Sequence, residues 1–543
     1  MSLLMLRRVV LLYILFTYWC CSGASKDDDI RDLLLGDNIE CVGMVSTQKC
    51  DPDGPRDEKI PIIPCSGVLE NRDIAGYCLL RERDGSHPQK EYHVMKRSCH
   101  SYRGVPHMTV TCDLAIDFYN FRTEALAYRH HVPPRDDAIA TFQPVVDNNE
   151  PLRGIVYNIY ERAMISVYVS IKVLREVGCV LPIELWMIPG ETNVNGPILQ
   201  EILRDPLITI RFIEDPDVSG FNVKPYSLFF SKFDQILLLD ADNIPCANPE
   251  TLFETPEFRE KGAVFWPDFW QPSNSPLFDI QPGHLIWELT GLPFVDQFEQ
   301  ESGQLLIDRT RCWPALHVLM FMISVPPSRN KYTHWQHGNK KGRRRGLIDH
   351  MDLLYGDKDL FRFAWLLSGT PFLFNPHLPG VVGARFEDHA FCGVTMLQFG
   401  LNGEPMFFHR NSRKLHDSGD KWWTHLRRYH GHDPKKNYRI DSFSLGCFKP
   451  SPHITDTSLF SYETMEEAGF DDFEERVLQH RHDATQITGH YQCTMLCRFV
   501  IFWIACALLI IPRSRRFLST IIRVVVTWTA NAKQTFSLRK TKE

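Results

Sequence analysis

Residues 235–245 read QILLLDADNIP: a short apolar run passes without a break into Asp240, Ala241 and Asp242. A run this brief and continuous suits a strand buried on both faces, as in a parallel sheet covered by helices. In open α/β sheets ligands sit beyond the carboxyl ends of the strands, so two acids directly after such a strand stand where a site is expected. Two carboxylates separated by one residue can share a hard divalent cation, Mn²⁺ or Mg²⁺, and leave coordination positions open for a diphosphate. A D-x-D alone is common, and acids there also cap turns, so the surroundings must decide.

Those surroundings alternate. Residues 154–158 (GIVYN) read as a strand, and residues 161–177 repeat apolar positions at helical spacing up to Gly178. LPIELWMI at 181–188 and LITIRFI at 207–213 are further strand-like runs, and residues 262–266 and 304–307 extend the series. Residues 314–323 and 356–367 look helical. Strands alternating with helices predict a doubly wound α/β body with a mostly parallel central sheet. Neither a G-x-G-x-x-G nor a G-x-x-x-x-G-K-[ST] sequence occurs, which disfavours a dinucleotide cradle or P-loop and leaves phosphate binding to a metal.

Composition removes other classes. With 44% hydrophobic and 23% charged residues in 543, the chain is neither disordered nor collagen-like and can bury a large core. Its 60 basic against 66 acidic residues give a net charge of −6, so no nucleic-acid partner is expected. The basic loop at 326–346 reads as a solvated surface insertion.

Both ends carry membrane signals. Arg7 and Arg8 precede an apolar run that ends in small residues, so residues 1–24 are expected to be a signal peptide or anchor. Residues 494–512 approach the length of a membrane span, and Arg513 to Arg516 follow at once. The body is therefore expected in the secretory lumen with residues 513–543 as a basic cytosolic tail. Cys41, Cys50, Cys65, Cys78, Cys99 and Cys112 cluster within residues 25–150 with no C-x-x-C among them, which reads as a disulfide-stapled region rather than a zinc site. Six cysteines permit fifteen pairings, and spacing selects none of them. No N-x-S/T sequon occurs.

The stretch from Lys224 to Gln271 (KPYSLFFSKFDQILLLDADNIPCANPETLFETPEFREKGAVFWPDFWQ) resembles glycosyltransferase family 71, the fungal-type α-mannosyltransferases. EQESGQLLIDRTRCWPAL from Glu299, YGDKDLFRFAWLL from Tyr355, FCGVTMLQ from Phe391 and MFFHRN from Met406 are similar to the family's blocks in their order. The resemblance implies a GT-A fold at residues 151–440, a lumenal stem at 441–493 and a metal-dependent transfer of mannose from GDP-mannose to a glycan with retention, on a Golgi membrane. Members typically carry one N-terminal anchor, so a second span is a departure.

On this resemblance Asp240 and Asp242 hold the metal with His409 as third ligand. Lys224, Ala241 and the strand residues Gly154, Ile155 and Val156 face the nucleotide, and Glu301, Gln304 and Asp359 flank the reacting sugar. Asp357 and Asp359 also suit a helix start. Trp266, Trp270 and Trp287 are candidates for stacking on acceptor sugars, although aromatic residues are more often core. His425, His430 and His432 form no recognised metal motif. The rival readings are a GT-A enzyme using a UDP-sugar, and a non-catalytic glycan- or cation-binding membrane protein.

Overall fold

The computed structural model describes residues 34–35, 38–70, 73–83, 89–99, 110–128, 151–216, 218–272, 280–323, 346–386, 391–417, 419–431, 433–438, 440–444, 447–450 and 457–489. The N-terminal strands β1 (Ile39–Thr47), β2 (Ala75–Glu82) and β3 (Glu91–Arg97) form an antiparallel sheet, followed by helix α1 (Cys112–Ala127). Disulfides Cys41–Cys112, Cys50–Cys99 and Cys65–Cys78 pair all six clustered cysteines, which answers the pairing that spacing left open. Cys392–Cys447 is a fourth bridge.

The central strands in chain order are β4 (Arg153–Asn158), β5 (Ile183–Met187), β6 (Ile208–Phe212), β7 (Gln235–Leu239), β8 (Asn243–Pro245), β9 (Ala263–Pro267), β10 (Gln300–Asp308) and β11 (Leu373–Phe374). Seven of them form one sheet in the order β11-β9-β10-β7-β4-β5-β6. The pairs β7–β4, β4–β5, β5–β6 and β11–β9 are parallel, as the runs buried on both faces require. Strand β10 departs from the expected pattern: it lies antiparallel to both β7 and β9. Helices α2 (Met164–Glu176), α3 (Val223–Phe230), α4 (Leu285–Thr290), α5 (Trp313–Ile323) and α6 (Leu360–Ser368) accompany this sheet. Helix α6 starts later than the 356–367 expectation, because residues 356–359 form the turn before it.

A second sheet is built from β12 (Gly380–Arg385), β13 (Phe391–Phe399), β14 (Pro405–His409), β15 (His425–Tyr429), β16 (Ile440–Ser444), β17 (Cys447–Pro450) and β18 (Phe460–Thr464). Three of these strands fall at 440–464, so much of the range expected as a stem is paired backbone. Strand β8 leaves the first sheet and pairs with β14, which ties the two sheets together at the end of β7.

The stapled N-terminal region shares the main core. Phe121 of α1 packs against Phe321 of α5 with ring centres 5.2 Å apart, and both belong to one continuous buried cluster. Glu288 of α4 accepts the Lys96 N–H at 2.7 Å, joining β3 to the central body. Residues 1–24, the 326–345 loop, the 494–512 segment and His432 lie outside the described residues. No helix among the described residues is long and apolar enough to cross a membrane.

Two predictions arise here. Cross-links closing longer loops restrict the unfolded chain more: about 4 kcal/mol for the 71-residue Cys41–Cys112 separation against about 3 kcal/mol for the 13-residue Cys65–Cys78 separation. Replacing Cys41 and Cys112 by Ser should therefore lower Tm more than replacing Cys65 and Cys78, measured calorimetrically. Burial pushes the Glu288 carboxyl up to about 7. Its folded value exceeds its unfolded one, so its contribution is full below pH 4.5 and lost as pH rises through 7. Glu288→Gln should flatten the decline of stability across that window, by up to about 3 kcal/mol, in urea titrations at several pH values.

Candidate active site

Strand β7 ends at Leu239 and the chain turns at once: Asn243 N–H donates to the Asp240 carbonyl at 3.0 Å, so Asp240-Ala241-Asp242 forms a tight turn at the sheet's carboxyl edge. The turn is pinned from β10, where the Gly303 carbonyl accepts from Asp240 N–H and from the Asn243 side chain, both at 2.8 Å. Register then supplies the third group. Strands β14 and β8 pair antiparallel with His409 opposite Asn243, and Arg410 N–H donates to the Asp242 carbonyl at 2.9 Å, which sets the His409 ring beside Asp242.

Donor atoms of Asp240, Asp242 and His409 lie within 4.8 Å of one another. Ligands around one octahedral ion at ~2.1 Å stand ~3–4 Å apart, so this oxygen and nitrogen set fits Mn²⁺ or Mg²⁺ after a small contraction. His409 Nε2 is 3.4 Å from Asp242 Oδ1, and its buried Nδ1, without a hydrogen-bond partner, is 3.8 Å from Glu301 Oε1.

Cations balance the acids. Lys224, at the start of α3, places its Nζ 2.8 Å from Asp240 and 3.1 Å from Asp357. Lys414 Nζ is 2.5 Å from Asp242. Burial alone would raise Asp242, but the His409 ring and the Lys414 ammonium outweigh it and hold the carboxyl well below its usual range. Asp240 goes the other way: burial and the neighbouring acids Asp242 and Asp357 raise it despite Lys224. Burial opposes the charge on His409, yet Glu301 and Asp242 raise it. Asp268 pairs with Lys358, and burial together with Glu301 still lifts its carboxyl to about 6.

These groups line a cavity of about 830 Å³. It takes in Lys224, Asp240, Ala241, Asp242, Glu301 and His409 from the sequence-derived set. Other expectations are corrected. Gly154, Ile155 and Val156 do not line the cavity: β4 runs on to Asn158, and it is Asn158, Ile159 and Tyr160 that reach it. A Cβ at Gly154 would come 2.2 Å from the Phe233 ring, so that glycine serves packing. Gln304 is fully buried and bonds Asn243 at 2.7 Å, supporting the turn from behind. Asp359 is buried behind the site, where it accepts the Gln300 N–H at 3.0 Å and pairs with Arg362 at 2.6 Å, clamping β10 to α6. Trp270 lines the cavity, but Trp266 donates to the Phe399 carbonyl inside the core and Trp287 packs on Phe294 and Phe363.

Sequence reasoning missed Asp268, Lys358, Lys414 and Tyr160, all on the cavity wall. Asp268 carried the signal used for Asp240, an acid directly after an apolar strand, β9. Lys358 lies between Asp357 and Asp359, and a lysine in an acidic turn carries no signal of its own. Lys414 had no signal, since only the path of the loop after β14 brings it in.

A largely parallel sheet with an acid–histidine cluster and lysines in a cleft at its carboxyl edge has the groups to hold a divalent cation and an anionic ligand. Residues 152–281 match the family model described as "Mannosyltransferase putative". The chain is 28% identical to the α-1,2-mannosyltransferase MNN2 of Saccharomyces cerevisiae over 271 residues, covering 43% of each. It is 36% identical to the α-1,2-mannosyltransferase MNN21 of Candida albicans over 141 residues, 23% of this chain and 21% of that one. Residues 152–281 are thus similar to mannosyltransferases, and the chain spans less than half the length of these curated relatives. Among solved structures, the galactosyltransferase LgtC with donor and acceptor sugar analogs is 14% identical, over 41% of this chain and 72% of that one, with a TM-score of 0.28, a likeness too slight to carry an argument.

The chain from the end of β14, at His409, to Lys414 is anchored by a buried pair. Glu474 accepts from Arg410 Nη1 at 3.0 Å, from Trp422 N–H at 2.9 Å and from Trp423 N–H at 2.7 Å. Removing one partner of a buried pair strands the other charge at ~3–5 kcal/mol. Glu474→Ala should lose that much stability in denaturant titration and weaken Mn²⁺ binding in calorimetric titration.

Proposed function

We propose that this chain transfers mannose from GDP-mannose to a glycan hydroxyl, with retention of anomeric configuration, as a membrane-tethered enzyme of the Golgi lumen. The observation that carries this reading is the convergence of Asp240, Asp242 and His409 at the sheet's carboxyl edge, in a cavity whose nearest elements match mannosyltransferases. The relatives are named α-1,2-mannosyltransferases, and α-1,2 is the linkage expected here. Four disulfides favour an oxidising compartment.

Asp240, Asp242 and His409 would hold Mn²⁺ or Mg²⁺, which when bound neutralises the charge that develops on a departing nucleoside diphosphate. The chain's own groups do the rest. Lys224 orients Asp240 and Asp357 and adds fixed positive charge to the floor of the site, while Ser302 steadies Asp357 with a 3.0 Å hydrogen bond. Lys358, His409 and Lys224 overcome burial to keep Glu301 ionised, so it is an acceptor for sugar hydroxyls rather than a proton donor. Asp268 and Lys358 present an acceptor and a donor on the same wall.

The test uses the full-length chain in detergent. GDP with Mn²⁺ should raise Tm, by the equivalent of about 2.7 kcal/mol at a hundredfold excess over Kd, and UDP with Mn²⁺ should not. Mannosyl transfer from GDP-mannose should fall at least ~100-fold in Asp242→Ala and on chelation by EDTA. Turnover that survives both treatments, or stabilisation by UDP alone, would overturn the assignment.

A further inference from the structure

The mouth of the cavity is unlike its floor. Among the described residues, three exposed large hydrophobic side chains, Tyr160, Phe221 and Tyr355, line this single cavity. Phe221 is 62% exposed and Tyr355 48%. Rings of this size left in water are unfavourable, and several at one rim mark a ligand surface rather than chance exposure.

The backbone holds two of these rings in place. Gly220 precedes Phe221 with φ +59°, and Gly356 follows Tyr355 with φ +61°, both left-handed conformations that side chains resist. A Cβ at Gly356 would come 3.2 Å from the Phe221 ring, so the ring lies against bare glycine backbone and the two loops meet there. The second loop continues into Asp357 and Lys358, whose Nζ is 5.6 Å from the centre of the Tyr355 ring. Flat apolar surface bordered by a carboxylate and an ammonium matches a pyranose, which has an apolar C–H face and hydroxyls at its edge. Tyr160 lies elsewhere on the wall, directly after β4 and two residues beyond its last residue.

We propose that Phe221 and Tyr355 form the platform for the terminal pyranose of the acceptor, which makes the acceptor a glycan and not a lipid or peptide hydroxyl. This rests on the transferase reading of the same cavity. With GDP-mannose and Mn²⁺ at saturation and α-mannobiose varied, Phe221→Ala and Tyr355→Ala should each raise the acceptor KM ~10-fold. Phe221→Trp should restore it, and the donor KM should move less than ~2-fold. An unchanged acceptor KM, or a rise confined to the donor KM, overturns the platform; the latter would place the rings on the nucleobase. If the wild type turns over no mannosyl donor, the transferase reading fails on its own, and ligand-observed NMR still decides the platform. Saturation transfer to α-mannobiose is expected for the wild type and not for Phe221→Ala, and equal signals from both would refute it.

Discussion

Two carboxylates one residue apart, at the end of a buried strand, repel each other and lose solvation together, and the cavity is organised around that constraint. Lys224 answers Asp240, Lys414 and His409 answer Asp242, and Lys358 answers Asp268. The opposite shifts of Asp240 and Asp242 follow from the same crowding, because one strongly ionised acid makes the second harder to ionise.

The scaffold serves this arrangement by joining two sheets at one turn. Strand β7 delivers the acids, β10 pins their backbone from the antiparallel side, and β14 brings His409 by pairing with the short β8. The antiparallel β10 is therefore useful where it stands, since Glu301 and Ser302 at its start line the cavity beside the carboxyl edge of the sheet. Behind it, Asp359 and Arg362 form a buried pair whose role is to fix β10 to α6. The stapled N-terminal sheet lies outside the site but shares its core through Phe121 and Phe321, so its disulfides bear on the stability of the whole body.

Much of the local structure was legible because its causes are local. Strands buried on both faces must be apolar throughout, so QILLL, GIVYN and LPIELWMI announce themselves, and acids following QILLL announce a site. The errors share a cause too. Gly154 to Val156 lie within β4 short of its cavity end, and Gln304 and Asp359 face the interior rather than the cavity, because a residue's identity in a strand or turn does not say which way it points. Trp266 and Trp287 lie in the core, where aromatic residues more often sit.

By itself the sequence determined the alternation of strands and helices, the pair of acids at 240 and 242 after a buried strand, and the clustered cysteines, since each depends on residues close together along the chain. Only the tertiary structure decided the disulfide partners, the antiparallel course of β10, the joining of His409 to Asp242 through strand register, and the placing of Lys358, Lys414 and the rim aromatic rings in the cavity. Those features rest on contacts between segments tens to hundreds of residues apart, and such contacts are settled by packing and backbone pairing, which leave no periodic trace in the chain.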